Sequence, residues 1–357
     1  MAIFLLLFTS LWVPANASSV ISKVINTAPG VVVDTSLYLP KNIPAPAIMI
    51  AHGFGGSKNS VTNQAKYFQD AGYVVLTWSA RGFGKSTGQI SMNSLAGEVA
   101  DSRALIDYLA TQKSVKQQSA TDPIVGIMGG SYGGANSLLT ASTDSRIDAV
   151  AADITWSNLN QDLFPQSVIG SELPGPFKKV WAGTFFTAAS FQGAYLGECG
   201  AFADIWCAAY REAALNGAPS SDQIKLLDSV SPINYFKTLQ APTMFTQGQA
   251  DSLFPLIESY NNAAAIKAAN SKLPLAMIWH AGGHDGGVDE SKFLNSNYLK
   301  WFNRYLKNQE VEIPPFQFTN IKGSISLQDS TVIPKVFASN TLPITGLKNN
   351  LPIITGV

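Results

Sequence analysis

The sequence predicts an α/β protein with a mostly parallel central sheet, helices on both faces of the sheet and an inserted helical cap. Short apolar runs typical of buried strands alternate with segments of helical periodicity. A glycine-rich turn around Ser131 joins one of these strands directly to a helix. Residues 156–240 then interrupt the alternation, and this segment is far longer than an ordinary loop. We therefore expect an ordered insertion in an otherwise regular succession of strands and helices.

The first half of the chain contains most of the strands from which this sheet is predicted. Val31–Leu39 alternates apolar and polar residues, as a half-buried strand does. Continuous apolar runs predict buried strands at 45–51, 73–77, 124–128 and 147–154, with helices over 95–109 and 135–141 between them. In the helix over 95–109 the apolar residues share one face, so its charged residues are expected on the opposite face.

The alternation of strands and helices resumes after the insertion. Strands are predicted at 243–246 and 275–279, and helices at 256–268 and 291–306. The chain accordingly divides into a core of residues 18–155 and 241–309, a cap of residues 156–240 and a tail of residues 310–357. The cap is rich in aromatic residues and is expected to be mostly helical. The tail is rich in Pro, Ile and Thr and has strand-like pieces, as expected of the remnant or truncated start of a β domain.

The composition favours a small or neutral ligand. In 357 residues, 24 Lys and Arg balance 24 Asp and Glu, and only 13% of the residues are charged. This balance provides no basic surface for nucleic acid or for an anionic membrane. The length is sufficient for one large α/β domain with an insertion, or for two domains, and a sizeable buried core is expected.

The N-terminus has the pattern of a secretory signal peptide. Residues 2–13 form an apolar run too short to span a bilayer, and the A-x-A pattern that follows predicts cleavage after Ala17. A secreted or periplasmic protein is therefore expected, with a buried or membrane-anchoring N-terminal helix as the alternative. No later segment has the length of a membrane span, so none is expected after cleavage.

The two cysteines, Cys199 and Cys207, are close together in the predicted cap. In an exported protein, an isolated pair at this spacing is expected to form a local disulfide. The three histidines of the chain form no zinc-type cluster with these cysteines in sequence, so no metal site is predicted.

The segment Gly129–Gly133 reads G-x-S-x-G and lies between a predicted strand and a predicted helix. Such a turn is tight and strained, so small residues must flank the serine, whose hydroxyl is then exposed above the end of the strand. Ser131 is therefore the candidate nucleophile. The alternative is a glycine-rich turn that only lets the strand and the helix approach each other.

A serine hydroxyl needs a histidine base, and that histidine needs a carboxylate to hold its tautomer. Asp251 and His284 follow the next two predicted strands of the core, in the chain order Ser, Asp, His. We assign Asp251 as the orienting acid and His284, in a flexible glycine loop, as the base. His280 remains an alternative base and Asp153 an alternative acid, because each lies at the end of a strand on the same edge.

The negative oxygen that develops during acyl transfer needs two preorganised N–H donors. The amide N–H of Tyr132, directly after the serine, is expected to supply one of them. The other is expected from Phe54, in the His52-Gly53-Phe54 turn that follows an earlier buried strand. His52 itself is interpreted as a structural residue of that turn.

Residues 78–88 contain the sequence Arg81-Gly82-Phe83-Gly84-Lys85-Ser86-Thr87-Gly88. Its Gly-Lys-Ser resembles part of a phosphate-binding loop, but such a loop requires glycine where Ser79 stands. ATP binding is therefore not expected.

With these residues placed, residues 30–310 resemble the X-prolyl dipeptidyl peptidases and cocaine-esterase-like hydrolases, the S15 group of α/β-hydrolases. The resemblance rests on the segments around Arg81, Ser131, Asp251 and His284. It implies an α/β-hydrolase fold with a helical cap and an acyl-enzyme mechanism without metal or organic cofactor.

The chain departs from that family at three places. Ser79 stands where members usually have aspartate, and the turn at Phe54 stands where members often use a tyrosine hydroxyl in the oxyanion hole. The carboxyl-terminal jelly-roll domain of the family is absent or reduced to the tail. The substrate range, from proline-containing peptides to esters and amides, therefore stays open.

These expectations lead to three functional hypotheses. The first is a secreted serine hydrolase acting on a small ester or amide, with the aromatic cap either accepting an apolar acyl group or packing on itself. The second is an Xaa-Pro dipeptidyl peptidase with the same triad, for which Glu172, Glu198 and Asp204 are candidates to bind the free amine of a short peptide. The third is a non-catalytic binding protein on a hydrolase scaffold.

Overall fold

The computed structural model describes residues 18–165, 175–192 and 197–320, together with the backbone of residues 325–328. The predicted signal peptide of residues 1–17 and the candidate amine ligand Glu172 lie outside the described residues.

The described strands form one large sheet and two small hairpins. The strands are β1 (Ser19–Ala28), β2 (Val31–Leu39), β3 (Ala47–Ala51), β4 (Val74–Trp78), β5 (Gln117–Ser119), β6 (Asp122–Pro123), β7 (Val125–Gly130), β8 (Ile147–Asp153), β9 (Thr243–Gly248), β10 (Leu275–His280), β11 (Gly282–Gly283), β12 (Gly286–Gly287), β13 (Phe316–Thr319) and β14 (Ile325–Gln328). The large sheet has the order β1-β2-β4-β3-β7-β8-β9-β10-β13-β14. Its strands from β4 to β13 are parallel, whereas β2 is antiparallel to both neighbours and β14 is antiparallel to β13.

Helices cover both faces of this sheet and also form the cap. They are α1 (Thr62–Asp70), α2 (Glu98–Ala110), α3 (Tyr132–Thr143), α4 (Leu159–Leu163), α5 (Lys179–Gln192), α6 (Asp204–Asn216), α7 (Ser221–Asp228), α8 (Leu256–Ala269) and α9 (Ser291–Lys307). Apolar residues of α2, α3 and α8 pack on one face, and those of α1 and α9 pack on the other. No helix in the described part of the chain combines the length and the apolar character needed to cross a bilayer.

The strands of the central sheet are continuous apolar runs in the sequence because helices cover both faces of the sheet. In β3, Met49 points into the core under α2, α3 and α8, while Ile48 and Ile50 point into the core under α1 and α9. Successive side chains of a strand face opposite sides, so a strand buried on both faces needs apolar residues throughout. The predicted α/β class, with a mostly parallel sheet and helices on both sides, is confirmed.

The helix predicted over 95–109 begins at Glu98, because residues 95–97 form a turn before it. Its charged residues do not all lie on an exposed face, as the sequence pattern had suggested, since Glu98 and Asp101 are both 1% exposed. Each has a polar partner that its own helix does not provide. Glu98 accepts a hydrogen bond from the Tyr132 hydroxyl, and Asp101 forms a bidentate ion pair with Arg81.

Two strands at the ends of the core, β1 and β13, differ from the prediction: no strand was predicted at β1, and β13 was assigned to the tail. β1 adds an antiparallel edge strand, and most of its residues are exposed, so it has no clear apolar pattern. The core also extends beyond residue 309, because β13 pairs in parallel with β10 and joins the central sheet. This part of the predicted tail is therefore a strand of the central sheet.

The cap lies between β8 and β9 and contains α4 to α7 and a short 3-10 helix at Pro232–Asn234. Cys199 and Cys207 form a disulfide that ties the turn before α6 to that helix. The cap is also joined to the core through Ile90, whose amide donates to the Ala201 carbonyl and whose carbonyl accepts from the Ala203 amide. A third apolar cluster fills the space between the cap and the carboxyl ends of the strands.

Candidate active site

Ser131 occupies the turn between β7 and α3 with a φ of 55° and a ψ of −118°, which few non-glycine residues adopt. Gly129 and Gly133 must be glycine, because a side chain at either position would collide with neighbouring backbone atoms. A Cβ at Gly129 would lie 2.6 Å from the carbonyl of Gly133, and a Cβ at Gly133 would lie 2.4 Å from the carbonyl oxygen of Ala51. The G-x-S-x-G motif is therefore a consequence of how closely α3 approaches β3 and β7.

His284 lies at the tip of the hairpin formed by β11 and β12, and its Nε2 is 2.8 Å from the Ser131 Oγ. The sequence suggested a flexible glycine loop here, but the loop is a paired hairpin packed against its neighbours. A Cβ at Gly283 would lie 2.1 Å from the Ala250 carbonyl oxygen, and one at Gly287 would lie 2.2 Å from that of Ala281. The glycines thus allow close packing that fixes the imidazole.

Asp251 follows β9 and contacts the other nitrogen of the same imidazole. Its Oδ2 lies 2.6 Å from His284 Nδ1, and its Oδ1 accepts a hydrogen bond of 2.7 Å from the Phe254 amide. The Asp251 side chain is fully buried. The rings of Trp181 and Phe254 contact the imidazole edge to face, with centroids 6.0 and 5.4 Å away. The imidazole is thereby fixed between carboxylate and hydroxyl.

The two alternative residues, Asp153 and His280, pair with each other. His280 Nε2 lies 3.1 Å from Asp153 Oδ1, and His280 Nδ1 accepts the amide N–H of Gly282. Burial lowers the pKa of His280, but the hydrogen bond and charge of Asp153 outweigh it and raise the net value. Asp153 also contributes its backbone, since its carbonyl accepts the Ser131 amide at 2.8 Å. Neither side chain contacts the Ser131 hydroxyl.

The residues of the expected oxyanion donors, Tyr132 and Phe54, line the same cavity as Ser131. Tyr132 is the first residue of α3, where a helix leaves its amide N–H groups without internal partners. The Phe54 ring packs edge to face on the rings of Phe83 and Tyr132, with centroids 5.0 and 5.4 Å away. In the described part of the chain, no protein group accepts either amide N–H.

His52 has a structural environment in the turn that carries Phe54. Its Nε2 accepts the amide N–H of Ala80 at 2.9 Å, and its Nδ1 lies 2.7 Å from the Gly53 carbonyl oxygen, to which it donates. Burial lowers the pKa of His52, and the Gly53 contact only partly opposes this. Both ring nitrogens therefore form hydrogen bonds with backbone groups, one at Gly53 and the other at Ala80.

Glu98, which was not predicted from the sequence, is a buried acid that binds the Tyr132 hydroxyl. Glu98 Oε1 accepts hydrogen bonds from the Tyr132 hydroxyl at 2.9 Å and from the Ser91 amide at 2.6 Å. Asn93 donates to the Tyr132 carbonyl at 2.8 Å. Glu98 is one and two turns from Ser102 and Leu105 on the buried face of α2, so helical spacing alone could have indicated a buried acid.

An apolar cavity of about 120 Å³ between the cap and the core has Ser131 among its lining residues. Most of its lining side chains are aromatic or aliphatic, and they come from the cap and from two core segments, the turn at Phe54 and the loop after β9. They include Phe54, Trp156, Leu159, Phe164, Phe177, Phe185, Phe186, Phe202, Trp206, Leu227, Leu253 and Phe254. The aromatic residues of the cap therefore share this cavity with Ser131 and also contact one another.

The described candidates for binding a substrate amine lie away from this cavity. Glu198 has an 83% exposed side chain and forms a 2.9 Å ion pair with Arg211. Asp204 is an exposed residue in the first turn of α6. Among the described residues, no group of three or more His, Cys, Asp or Glu side chains is placed to hold a metal.

The sequence of the chain matches the X-Pro dipeptidyl-peptidase family, the S15 family, over residues 29–286. The chain belongs to the S15 family. This confirms the resemblance drawn from the motifs around Arg81, Ser131, Asp251 and His284, and it places the chain among the serine hydrolases.

Curated relatives match parts of the chain. A dipeptidyl aminopeptidase BIII from Pseudoxanthomonas mexicana is 35% identical over 123 residues, which is 33% of this chain and 17% of that protein. An acylamino-acid-releasing enzyme from Arabidopsis thaliana is 23% identical over 269 residues, which is 73% of this chain and 30% of that protein. The chain thus spans less than a third of the length of these two relatives.

A solved structure of similar fold is a CocE/NonD family hydrolase from Staphylococcus aureus. It has a TM-score of 0.62 and 14% identity, and the match covers 92% of this chain and 62% of that one. At this identity the likeness concerns the fold, and it supports the assignment of an α/β-hydrolase fold.

The buried carboxyl group of Glu98 predicts a pH-dependent stability. Burial raises the pKa of Glu98 to about 7, although hydrogen bonds and Arg81 lower it. Between the unfolded value of 4.5 and this value, the folded protein retains a proton that the unfolded chain loses. The contribution of Glu98 to the free energy of unfolding therefore falls as the pH rises from 4.5 to about 7.

We expect Glu98→Gln to remove this dependence while preserving the shape of the side chain. Relative to wild type, the variant should gain about 2 to 3 kcal/mol in free energy of unfolding between pH 5 and pH 8. Urea denaturation at the two pH values measures the change, and the exposed Glu312→Gln variant controls for the loss of one carboxyl group. A difference between Glu98→Gln and wild type that is the same at both pH values would contradict this account.

Proposed function

We propose that the protein is a serine hydrolase that cleaves an ester or amide bond through an acyl-enzyme on Ser131. The observation that carries this proposal is the continuous chain of contacts from the Ser131 hydroxyl through His284 to Asp251, at 2.8 and 2.6 Å. Nucleophile, base and orienting acid are within hydrogen-bond distance in that order. Membership of the S15 family supports the same class of reaction.

In the first half of the reaction, His284 Nε2 accepts the Ser131 proton as Oγ attacks the substrate carbonyl carbon. Asp251 accepts the hydrogen bond of His284 Nδ1–H and stabilises the imidazolium that forms. The amide N–H groups of Tyr132 and Phe54 donate to the developing oxyanion. The bond to the leaving alcohol or amine then breaks, and His284 returns the proton to that group.

In the second half, water replaces the leaving group. His284 takes a proton from the water as its oxygen attacks the acyl carbon, and the same two amides hold the second oxyanion. The ester bond to Ser131 breaks, the serine regains its proton from His284, and the carboxylic acid is released. Protein groups and water suffice for every step of this mechanism.

The cavity favours a compact, apolar acyl group. An apolar cavity of roughly 150 Å³ holds a benzene molecule, so the cavity of about 120 Å³ beside Ser131 matches a phenyl ring or a short branched chain in size. A charged group placed against these aromatic walls would lose its hydration without a partner.

The second hypothesis, an Xaa-Pro dipeptidyl peptidase, is favoured by the activity for which the S15 family is named. It requires a carboxylate that binds the free amine of the substrate. Glu198 and Asp204 are exposed and do not line the cavity, so Glu172 is the remaining candidate of the three. The third hypothesis, a non-catalytic binding protein, is disfavoured because the triad side chains lie within hydrogen-bond distance of one another.

We also propose that the protein is exported. An apolar N-terminal run followed by an A-x-A pattern supports this, and so does the disulfide between Cys199 and Cys207, a bond typical of oxidising compartments.

The two aspartates at this edge of the sheet provide a paired test of the triad. Asp251→Asn should lower kcat for p-nitrophenyl butyrate by about 10³- to 10⁴-fold, because an amide cannot hold the imidazole in the required tautomer. Asp153→Asn should lower it by less than about tenfold, because its side chain pairs with His280 and its backbone carbonyl is kept. Circular dichroism checks that both variants fold. Equal losses in the two variants would refute the assignment of Asp251.

Blocking the amine of a peptide substrate separates the two enzymatic hypotheses. We expect turnover of p-nitrophenyl butyrate. Because no described carboxylate lines the cavity, we also expect that N-acetylation of alanyl-proline p-nitroanilide does not reduce any turnover of that anilide. Initial rates on the free and acetylated anilides measure this. Loss of anilide cleavage on acetylation, together with the same loss in Glu172→Gln, would instead identify a dipeptidyl peptidase.

A further inference from the structure

The loop of residues 251–254 carries the triad acid, and most of its polar backbone groups have partners. Asp285 accepts the Ser252 amide, Gln247 donates to the Phe254 carbonyl, and the Phe254 amide donates to Asp251 itself. All of these partners belong to the core. The carbonyl groups of Ser252 and Leu253, in contrast, have a partner from the cap.

That partner is Lys178, the residue directly before α5. Its Nζ donates to the Ser252 carbonyl and to the Leu253 carbonyl, both at 2.8 Å. Its own backbone amide donates to the Leu163 carbonyl at the end of α4. Lys178 therefore links the end of α4 in the cap to the carbonyl groups of Ser252 and Leu253, the two residues that directly follow Asp251.

Lys178 is half-buried, and four carboxyl groups lie near its ammonium group. Burial lowers the pKa of Lys178, and Asp162 of α4, Glu258 of α8, Asp251 and Asp285 oppose this shift. Burial raises the pKa of Asp162 well above its ordinary value, and the neighbouring Glu258 adds to this. Glu258 meanwhile accepts the amide and hydroxyl of Ser157, where the cap begins.

Trp181 reinforces the same contact from the first turn of α5. Its Nε1–H donates to the Ser252 hydroxyl at 3.1 Å, and its ring lies edge to face on the imidazole of His284. Further along the same helix, Phe185 and Phe186 line the cavity at Ser131. One cap helix thus contacts the acid loop, the base and the space for the acyl group.

From these contacts we infer that Lys178 is a positioning residue for catalysis: it holds the Asp251 loop from the cap and so makes the triad geometry depend on docking of the cap. This inference rests on the proposed function, since it assigns Lys178 a role in that reaction. Without Lys178 the Leu253 carbonyl, in a residue only 1% exposed, loses its partner, and the loop must move to find another.

Lys179 provides a matched control at the next position. Its Nζ donates to the Ala214 carbonyl at 2.8 Å, which lies within the cap at the end of α6. Lys179→Met therefore removes the same side-chain chemistry and one carbonyl contact without touching the acid loop. Lys178→Arg keeps the charge and can donate to both carbonyl groups.

The experiment measures kcat and KM for p-nitrophenyl butyrate in these variants. We expect Lys178→Met to lower kcat by about 10- to 100-fold with KM little changed, Lys178→Arg to recover most of the loss, and Lys179→Met to match wild type. If Lys178 acts through Asp251, Lys178→Met should add little further loss in the Asp251→Asn background. Equal kcat in Lys178→Met and Lys179→Met, or an equal loss in both backgrounds, would overturn the inference.

Amide hydrogen exchange tests the same inference without using activity. We expect the Phe254 amide, which donates to Asp251, to exchange faster in Lys178→Met than in wild type or Lys179→Met. Unchanged exchange would overturn the role of Lys178 even in a fully active enzyme. If wild type neither hydrolyses esters nor reacts at Ser131, the proposed function fails, whereas the exchange result still decides whether Lys178 holds the loop.

Discussion

The unfavourable backbone conformation of Ser131 is the constraint on which the rest of the site depends. A non-glycine residue in such a sparsely populated region costs of order 1–3 kcal/mol and persists only where its surroundings enforce it. Here the Ser131 amide donates to the Asp153 carbonyl, and the Ser131 carbonyl accepts the Thr155 hydroxyl at 2.8 Å. These contacts come from the last residue of β8 and from the segment directly after it. The same turn that exposes the serine hydroxyl also starts α3, which leaves the Tyr132 amide free to donate.

The parallel sheet then brings the other residues to that hydroxyl. The turn after β7, the loop after β9 and the hairpin after β10 lie at the carboxyl ends of neighbouring strands, so residues 131, 251 and 284 meet although they are distant in sequence. The same geometry creates a second aspartate and histidine pair, Asp153 and His280, behind the first. Its imidazole accepts the Gly282 amide at the base of the hairpin that carries His284. Two similar pairs therefore have different tasks, one facing the serine and one supporting the hairpin.

Local patterns were sufficient to predict the fold class and to propose the triad residues, because each lies in a short motif at the end of an apolar strand. Patterns of this kind favoured Asp251 but left Asp153 as an alternative acid, since both follow strands on one edge and differ in where their side chains point. They also missed Glu98 and Lys178. The partners of these residues, Tyr132 and the carbonyls of Ser252 and Leu253, are 34, 74 and 75 residues away, so only the folded chain shows the contacts. Helix α1 was missed because its sequence is largely polar and only three of its residues are buried.

Activation of Ser131 by His284 can be measured by labelling the purified protein with a fluorophosphonate probe and locating the modified peptide by mass spectrometry. We expect a covalent adduct on Ser131 in wild type, no adduct in Ser131→Ala and much slower labelling in His284→Ala. A folded wild-type protein that forms no adduct, or forms it on another residue, would show that Ser131 is not an activated nucleophile.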